Sequence, residues 1–182
     1  MNKYKIIYAD PPWQYQKKLE GHGKMQMALR HYSTMPIEEI KALNVAELAD
    51  ENCILFLWTT FRKLPWGLDV IKSWGFEYKT LGFSWIKLTK NNTPHRGLGF
   101  YTRQNCEVCL IGTKGSTAEM VIAHNVSSTI LKQREAHSKK PDEARQFFVE
   151  LVGDVPRIEL FAREKAEGWD VWGNEVESDI KL

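Results

Sequence analysis

Two kinds of hydrophobic pattern alternate along the chain. The first kind consists of short runs rich in β-branched and aromatic residues, which predict β-strands. These runs lie at residues 4–9, 53–58, 76–88, 107–112 and 157–162, with a further short candidate at residues 118–123. The second kind has apolar side chains at helical spacing and predicts helices beginning at Pro36, Leu64 and Pro141. Residues 124–140 and 168–174 have neither pattern and are predicted to be irregular.

Alternating strands and helices predict one α/β domain over residues 1–182, with a mostly parallel sheet flanked by helices. In such sheets, ligands bind beyond the carboxyl ends of the strands. Asp10 follows the first predicted strand directly, and the segment after Phe161 lies at another strand end. Two polar loops are candidate active-site loops. The loop near residues 14–33 is long enough to be a lid, and the loop near residues 89–103 interleaves basic and aromatic residues, as contacts with nucleic acid would require.

Composition narrows the function classes only a little. The chain has 182 residues, a net charge of +2 and 12% aromatic residues, so nucleic acid is permitted as a partner but not required. No apolar run approaches the roughly 20 residues of a membrane helix, and no secretion signal is visible, so we expect a cytoplasmic protein. The three cysteines include no second Cys-x-x-Cys pair, and His22, His31, His124 and His137 lack metal-ligand spacing, so no metal is expected.

The tetrapeptide Asp10-Pro11-Pro12-Trp13 carries the most specific chemical signal. Its two prolines remove two N–H donors, so the segment presents carbonyl acceptors, one carboxylate and a flat aromatic ring. This set suits a planar ring with an exocyclic amine, such as adenine. Hydrogen bonds from that amine to Asp10 and to the Pro11 carbonyl would orient its lone pair toward an electrophile and stabilise the charge that develops on nitrogen. The structural alternative is an ordinary turn after a strand.

This tetrapeptide resembles the signature of the DPPW adenine-N6 methyltransferases, relatives of the seventy-kilodalton subunit of mRNA adenosine methyltransferase. Further blocks resemble the family in the same order along nearly the whole chain. They begin at His31-Tyr32-Ser33-Thr34-Met35 and continue through residues 96–101, 107–115, 137–143, 159–163 and 168–175. The resemblance implies a Rossmann-like methyltransferase fold in permuted motif order, with the catalytic half first, and S-adenosylmethionine as methyl donor.

The resemblance also implies individual roles. Asp10, Pro11, Pro12 and Trp13 would form the catalytic motif, with Asp10 also near the methionine part of the cofactor and Trp13 stacking on or walling the base. The substrate would be bound by Tyr32, Arg96 and Tyr101. The cofactor would be bound by Lys140 at its carboxylate, by Arg163 at its ribose, and by Phe161, Asn174 and Glu175. Each of these residues has an ordinary structural alternative as a loop anchor, surface ion pair or turn.

The sequence therefore predicts transfer of a methyl group from S-adenosylmethionine to N6 of adenine in DNA. The compact chain resembles bacterial or phage DNA-modifying members of the family. The same reaction on RNA is the first alternative, and a non-catalytic nucleic-acid-binding partner subunit is the second. A duplex adenine would have to leave the stack to react. A homodimer or a partner chain is also an expectation, because eukaryotic relatives work as heterodimers.

Overall fold

The computed structural model describes residues 3–14, 34–97, 99, 101–133 and 139–182. Seven strands form one sheet in the order β5-β3-β4-β2-β1-β6-β7. The strands are β1 (Tyr4–Ala9), β2 (Ala49–Thr59), β3 (Glu77–Leu88), β4 (Cys106–Lys114), β5 (Thr129–Gln133), β6 (Arg157–Leu160) and β7 (Asp170–Trp172). The helices are α1 (Ile37–Ala42), α2 (Val45–Leu48), α3 (Leu64–Ser73) and α4 (Glu143–Val152).

The sheet is mostly parallel, as predicted, and its one reversed strand matters for the site. β1 pairs in parallel with both β2 and β6, β6 with β7, and β3 with β5. β4 is antiparallel to both of its neighbours, β2 and β3. The amino end of β4 therefore lies at the same sheet edge as the carboxyl ends of the other strands.

Apolar side chains fill both sides of the sheet because the central strands are buried on both faces. On one side, Ile40 of α1 and Val70 and Ile71 of α3 pack against β1 and β2. On the other side, Phe148 of α4 stacks on Phe56 of β2 with ring centroids 4.0 Å apart. Helices thus flank the sheet, and the arrangement is the Rossmann-like fold that the sequence predicts.

The end of α3 shows how local chemistry fixes an element boundary. Gly75 has φ +80°, a left-handed conformation that favours glycine and ends helices. The preceding Trp74 is fully buried, and its indole N–H donates to the Ile40 carbonyl of α1 at 2.8 Å. Helix α3 therefore ends at the point where the Trp74 hydrogen bond attaches it to α1.

Three predicted segments were wrong. Residues 118–120 form a 3-10 helix rather than a strand. The irregular segment 124–140 contains β5, which exists because it pairs in parallel with β3. The segment 168–174 contains β7, a three-residue strand that pairs with β6. In the part of the chain that the structure describes, no helix has the length and apolar character needed to cross a bilayer.

Candidate active site

Hydrogen bonds hold the loop after β1, and none of them is donated by its two prolines, which have no N–H group. Trp13 N–H donates to the Pro11 carbonyl at 2.8 Å, and Met35 N–H donates to the Pro12 carbonyl at 2.8 Å. The Trp13 indole N–H donates to the Trp58 carbonyl, near the end of β2, at 3.1 Å. The Trp13 ring is only 6% exposed, so it forms a wall of this edge rather than an open stacking face.

Four charged side chains meet at this edge; we call Asp10, Lys140, Glu107 and Lys87 the charge cluster. Lys140 Nζ lies 2.7 Å from Asp10 Oδ2 and 3.2 Å from Glu107 Oε2. Lys87 Nζ donates to the other oxygen of Glu107, Oε1. Asp10 directly follows β1, Glu107 is the second residue of β4, and Lys87 lies near the end of β3, so the topology brings them together.

Burial and pairing shift the pKa values within the charge cluster in different directions. Burial would raise the pKa of Glu107, but Lys140 and Lys87 outweigh it and lower that pKa to about 2. Burial and the nearby Glu107 carboxylate raise the pKa of Asp10, against the opposing pull of Lys140. The pKa of Lys140 is raised: burial would lower it, but Asp10 and Glu107 overcome that cost. The lysine is therefore a permanent cation between two carboxylates.

Lys140 makes contacts within the protein in addition to the cofactor contact that the sequence predicts. Its side chain is 8% exposed, and its ammonium lies 5.9 Å from the centre of the Trp58 ring. The sequence predicts that Lys140 meets the carboxylate of a cofactor. In the structure its ammonium holds Asp10 and Glu107, so any further anion would have to share this cation with them.

A second set of predicted residues lies beyond β6 and β7. Phe161 has φ +62°, a strained conformation for a bulky residue and one that clusters at functional sites. Its ring packs edge-on against Trp172 of β7, with ring centroids 5.3 Å apart. Gly173 follows β7 so closely against this turn that a Cβ atom would lie 2.1 Å from the Ala162 carbonyl oxygen. The backbone approach requires glycine there.

The predicted ribose and adenosine contacts are paired and exposed. Arg163 Nε lies 3.1 Å from Glu175 Oε1, and the two side chains are 40% and 54% exposed. Asn174 is exposed beside them. Because Arg163 and Glu175 come from the ends of β6 and β7, the sheet brings together two residues that the sequence assigns to one cofactor.

The predicted substrate residues are not gathered into the charge cluster. Arg96 is exposed on the second loop, and the Tyr101 ring is fully exposed, so it packs against nothing in the described chain. Tyr32 and the first loop from residue 15 to 33 lie outside the described residues. Their roles in substrate binding stay predictions.

Sequence reasoning did not assign Glu107 and Lys87 to the site. Glu107 is a single acidic residue at the start of a strand that otherwise consists mostly of apolar and small residues. A charge in such a strand needs a partner, and this was the available signal. Its partners come from residues far away in the sequence, and the reversed direction of β4 was not predicted. No group of three His, Cys, Asp or Glu side chains among the described residues is placed to hold a metal ion.

The fold and the site together define the class of protein to which the chain belongs. A Rossmann-like, mostly parallel sheet with an Asp-Pro-Pro-Trp loop at the carboxyl end of a central strand is a methyltransferase architecture. Comparison with known families identifies the group: residues 4–175 match the MT-A70 family, and the chain belongs to that family.

Individual relatives come from bacteria and eukaryotes. The chain is 35% identical to the Type II methyltransferase M.MunI of Mycoplasma sp over 96% of this chain and 78% of that protein. It is 29% identical to the N(6)-adenosine-methyltransferase MT-A70-like protein of Drosophila melanogaster, and 27% identical to the catalytic subunit METTL3 of Homo sapiens. Each of these two matches covers 97% of this chain, but only 28% and 29% of the respective relative.

Proposed function

We propose that this protein transfers a methyl group from S-adenosylmethionine to N6 of adenine in DNA. The observation that carries the proposal is the Asp10 carboxylate. Asp10 directly follows a central strand, keeps a quarter of its side chain exposed, and is fixed by Lys140 at 2.7 Å. A fixed acceptor at a ligand-binding edge can position an amine before reaction, without reorganisation during it.

The acceptor geometry suits an exocyclic amine. Asp10 accepts one N–H of the adenine amine, and the Pro11 carbonyl accepts the other. Pro11 already accepts the Trp13 N–H, which leaves its second lone pair for the base. As the nitrogen takes the methyl group, the sulfur–methyl bond of the donor would break and S-adenosylhomocysteine would be left. The nitrogen would then be positively charged, and the adjacent Asp10 carboxylate would stabilise that charge. The amine proton leaves afterwards, so Asp10 does not need to act as a base before attack.

The chemistry of the available side chains fits the cofactor. S-adenosylmethionine supplies an electrophilic methyl group on a sulfonium when it is bound. Asp10 would lie near its methionine end, with Lys140 attracting its carboxylate. The exposed Arg163–Glu175 pair and Asn174 offer donors and acceptors for ribose hydroxyls and adenine. Phe161, whose ring is held at the end of β6, would line the same site.

The choice of DNA rests on the relatives. The Type II methyltransferase M.MunI is 35% identical and is matched over 78% of its length, whereas the two adenosine methyltransferases are 29% and 27% identical. RNA adenosine is the second candidate, favoured by those same adenosine methyltransferases. A non-catalytic partner subunit is disfavoured because the Asp10 acceptor and its Lys140 partner are both in place. In a duplex, the adenine would need to flip out of the stack.

A transfer assay tests the reaction and the substrate together. Purified protein is incubated with labelled S-adenosylmethionine and matched DNA or RNA, single- or double-stranded, and N6-methyladenine is measured by mass spectrometry. We expect label on DNA adenine, and none with Asp10→Ala. Label on RNA alone would overturn the substrate. No label on any nucleic acid, together with calorimetry showing no cofactor binding, would overturn the proposal that the protein is an active methyltransferase.

A further inference from the structure

In the segment 10–14, the carbonyls of Pro12 and Gln14 accept hydrogen bonds from donors elsewhere in the chain. Its two prolines have no N–H, so the backbone there offers more acceptors than donors. Two of its carbonyls accept backbone N–H groups, as described above. The last described carbonyl of the segment, that of Gln14, accepts a hydrogen bond at 2.7 Å from the Nζ of Lys63, a residue that the mechanism does not use.

Lys63 is an unusual residue to find buried. It ends the 3-10 helix Phe61–Lys63 that follows β2, and only 5% of the residue is exposed. Its ammonium lies 3.1 Å from the centre of the Trp66 ring on α3, a cation–π contact. Burial, and to a lesser degree the charge of neighbouring Arg62, lowers the pKa of Lys63 to about 8.

Burying a lysine costs free energy that an apolar side chain of similar length would avoid. The side chain lies against the Trp66 ring, and packing on that ring would be satisfied by methionine or leucine. What an apolar side chain lacks is a donor that can reach the Gln14 carbonyl. Together with the Trp13 indole bond to Trp58, the Lys63 bond attaches the loop after β1 to the end of β2 at two points.

We propose that Lys63 is a positioning residue: through the Gln14 carbonyl and the Trp66 ring, it holds the Asp10–Gln14 loop in the geometry that places the Asp10 carboxylate for reaction. The contacts that carry this proposal are those of the Lys63 ammonium with the Gln14 carbonyl and the Trp66 ring, so its effect on Asp10 passes through the loop backbone. The kinetic part of this proposal rests on the proposed methyl transfer. The structural part does not, and each part has its own measurement.

The structural part is tested by hydrogen exchange of the intact chain. Lys63→Met removes the ammonium and keeps an unbranched apolar side chain, so we expect the variant to fold with a similar melting temperature. The amides of Trp13 and Met35, which bond to the loop carbonyls, should exchange several-fold faster. Lys72→Met, the same substitution at an exposed position on α3, is the control and should leave both amides unchanged.

The kinetic part is tested in the methyl-transfer assay. A displaced Asp10 should lower kcat by about tenfold or more in Lys63→Met. The Kd for S-adenosylmethionine should change much less, because Lys140 and Arg163, which are also assigned to the cofactor, keep their positions. Lys63→Arg keeps a cationic donor and should restore part of the lost kcat. A merely structural lysine would give no such rescue and no separation of kcat from cofactor affinity.

The outcomes are distinct. If Lys63→Met leaves both the exchange rates and kcat unchanged, Lys63 does not position the loop. If exchange accelerates but kcat does not fall, Lys63 holds the loop, but the loop does not limit the reaction, and the proposal is overturned in its kinetic part. If the wild-type protein methylates no adenine, the proposed function fails, and the exchange measurement alone decides whether Lys63 holds the loop.

Discussion

The charge cluster and the Arg163–Glu175 pair lie at the same edge of the sheet but differ in solvent exposure. Within the charge cluster, the side chains of Lys140 and Glu107 are 8% and 14% exposed. Arg163 and Glu175 are about half exposed, so water screens their attraction. The comparison indicates that the groups nearest the predicted reaction are fixed in advance. The groups predicted to hold the far end of the cofactor can exchange one partner for another at little cost.

The largest effect should come from removing the charge of Asp10. Asp10→Asn keeps the size of the side chain but loses the carboxylate that stabilises a positive nitrogen, so transfer should fall by about 100- to 1000-fold. N6-methyladenine yield measured against time gives the rate. Asp69→Asn, on the exposed face of α3, is the matched control. A variant with near wild-type transfer would remove Asp10 from the mechanism.

The charge cluster should also appear in the dependence of stability on pH. The folded pKa of Glu107, about 2, lies below its usual 4.5, so its stabilising contribution is complete above about pH 4.5 and is lost as the pH falls toward 2. Glu107→Gln should therefore be less stable than wild type near pH 7, by on the order of 3 kcal/mol. Urea unfolding from pH 7 to pH 2.5 should show this difference shrink.

The control for that experiment is Glu119→Gln, at an exposed position in the 3-10 helix 118–120. The same change of charge there should leave the unfolding free energy close to wild type across the range. A Glu107→Gln difference that stays constant between pH 7 and pH 2.5 would show that the carboxylate is not stabilised by its two lysines.

Substitution in the exposed Arg163–Glu175 pair should change cofactor affinity and leave stability nearly unchanged, in contrast to substitution of Glu107 in the charge cluster. Arg163→Ala should raise the Kd for S-adenosylmethionine about tenfold, as expected for loss of one charged hydrogen bond. The unfolding free energy should change by less than about 1 kcal/mol, because surface ion pairs contribute little. Calorimetry and urea unfolding measure the two quantities. Lys165→Ala, which removes a neighbouring surface ion pair with Asp179, is the control.

The smallest effect is expected at the second loop. Arg96→Ala should weaken DNA binding a few-fold and reduce the slope of log K against log salt by about 0.9, the value for one lost phosphate contact. Arg96→Lys keeps the charge and should preserve most of the slope. Fluorescence anisotropy at several salt concentrations makes the measurement. An unchanged slope in Arg96→Ala would place the DNA elsewhere.

Most of the fold follows from local patterns, and the exceptions have a common cause. The apolar runs that became β1, β2 and β4 are buried on both faces, so composition alone indicates strands. In β5 only Ile130 is buried, and in β7 only Val171. Such strands exist because a neighbour offers unpaired backbone groups, and that information is not local to their sequence.

The residues of the candidate site also fall into two groups: those that a local sequence motif predicts and those that only the folded chain brings together. Asp10 and Lys140 stand beside recognisable signals, a double proline after a strand and a helix start, and the structure brings their side chains into contact. Lys87 and Lys63 have no such signal, and Glu107 offers only that of a charge in a mostly apolar strand. Their positions depend on strand direction and on backbone acceptors in other segments, which only the folded chain reveals.

The strand order has a consequence for how the chain folds. β1 lies between β2 and β6, and Ile6 pairs with Arg157 in β6. One edge of β1 therefore stays unpaired until a segment about 150 residues later in the chain has been synthesised. Contacts between such distant segments slow folding and leave hydrophobic edges open in the meantime. On a ribosome, Ile6, Ile7 and Tyr8 would emerge early and remain exposed to chaperones or aggregation until β6 is synthesised.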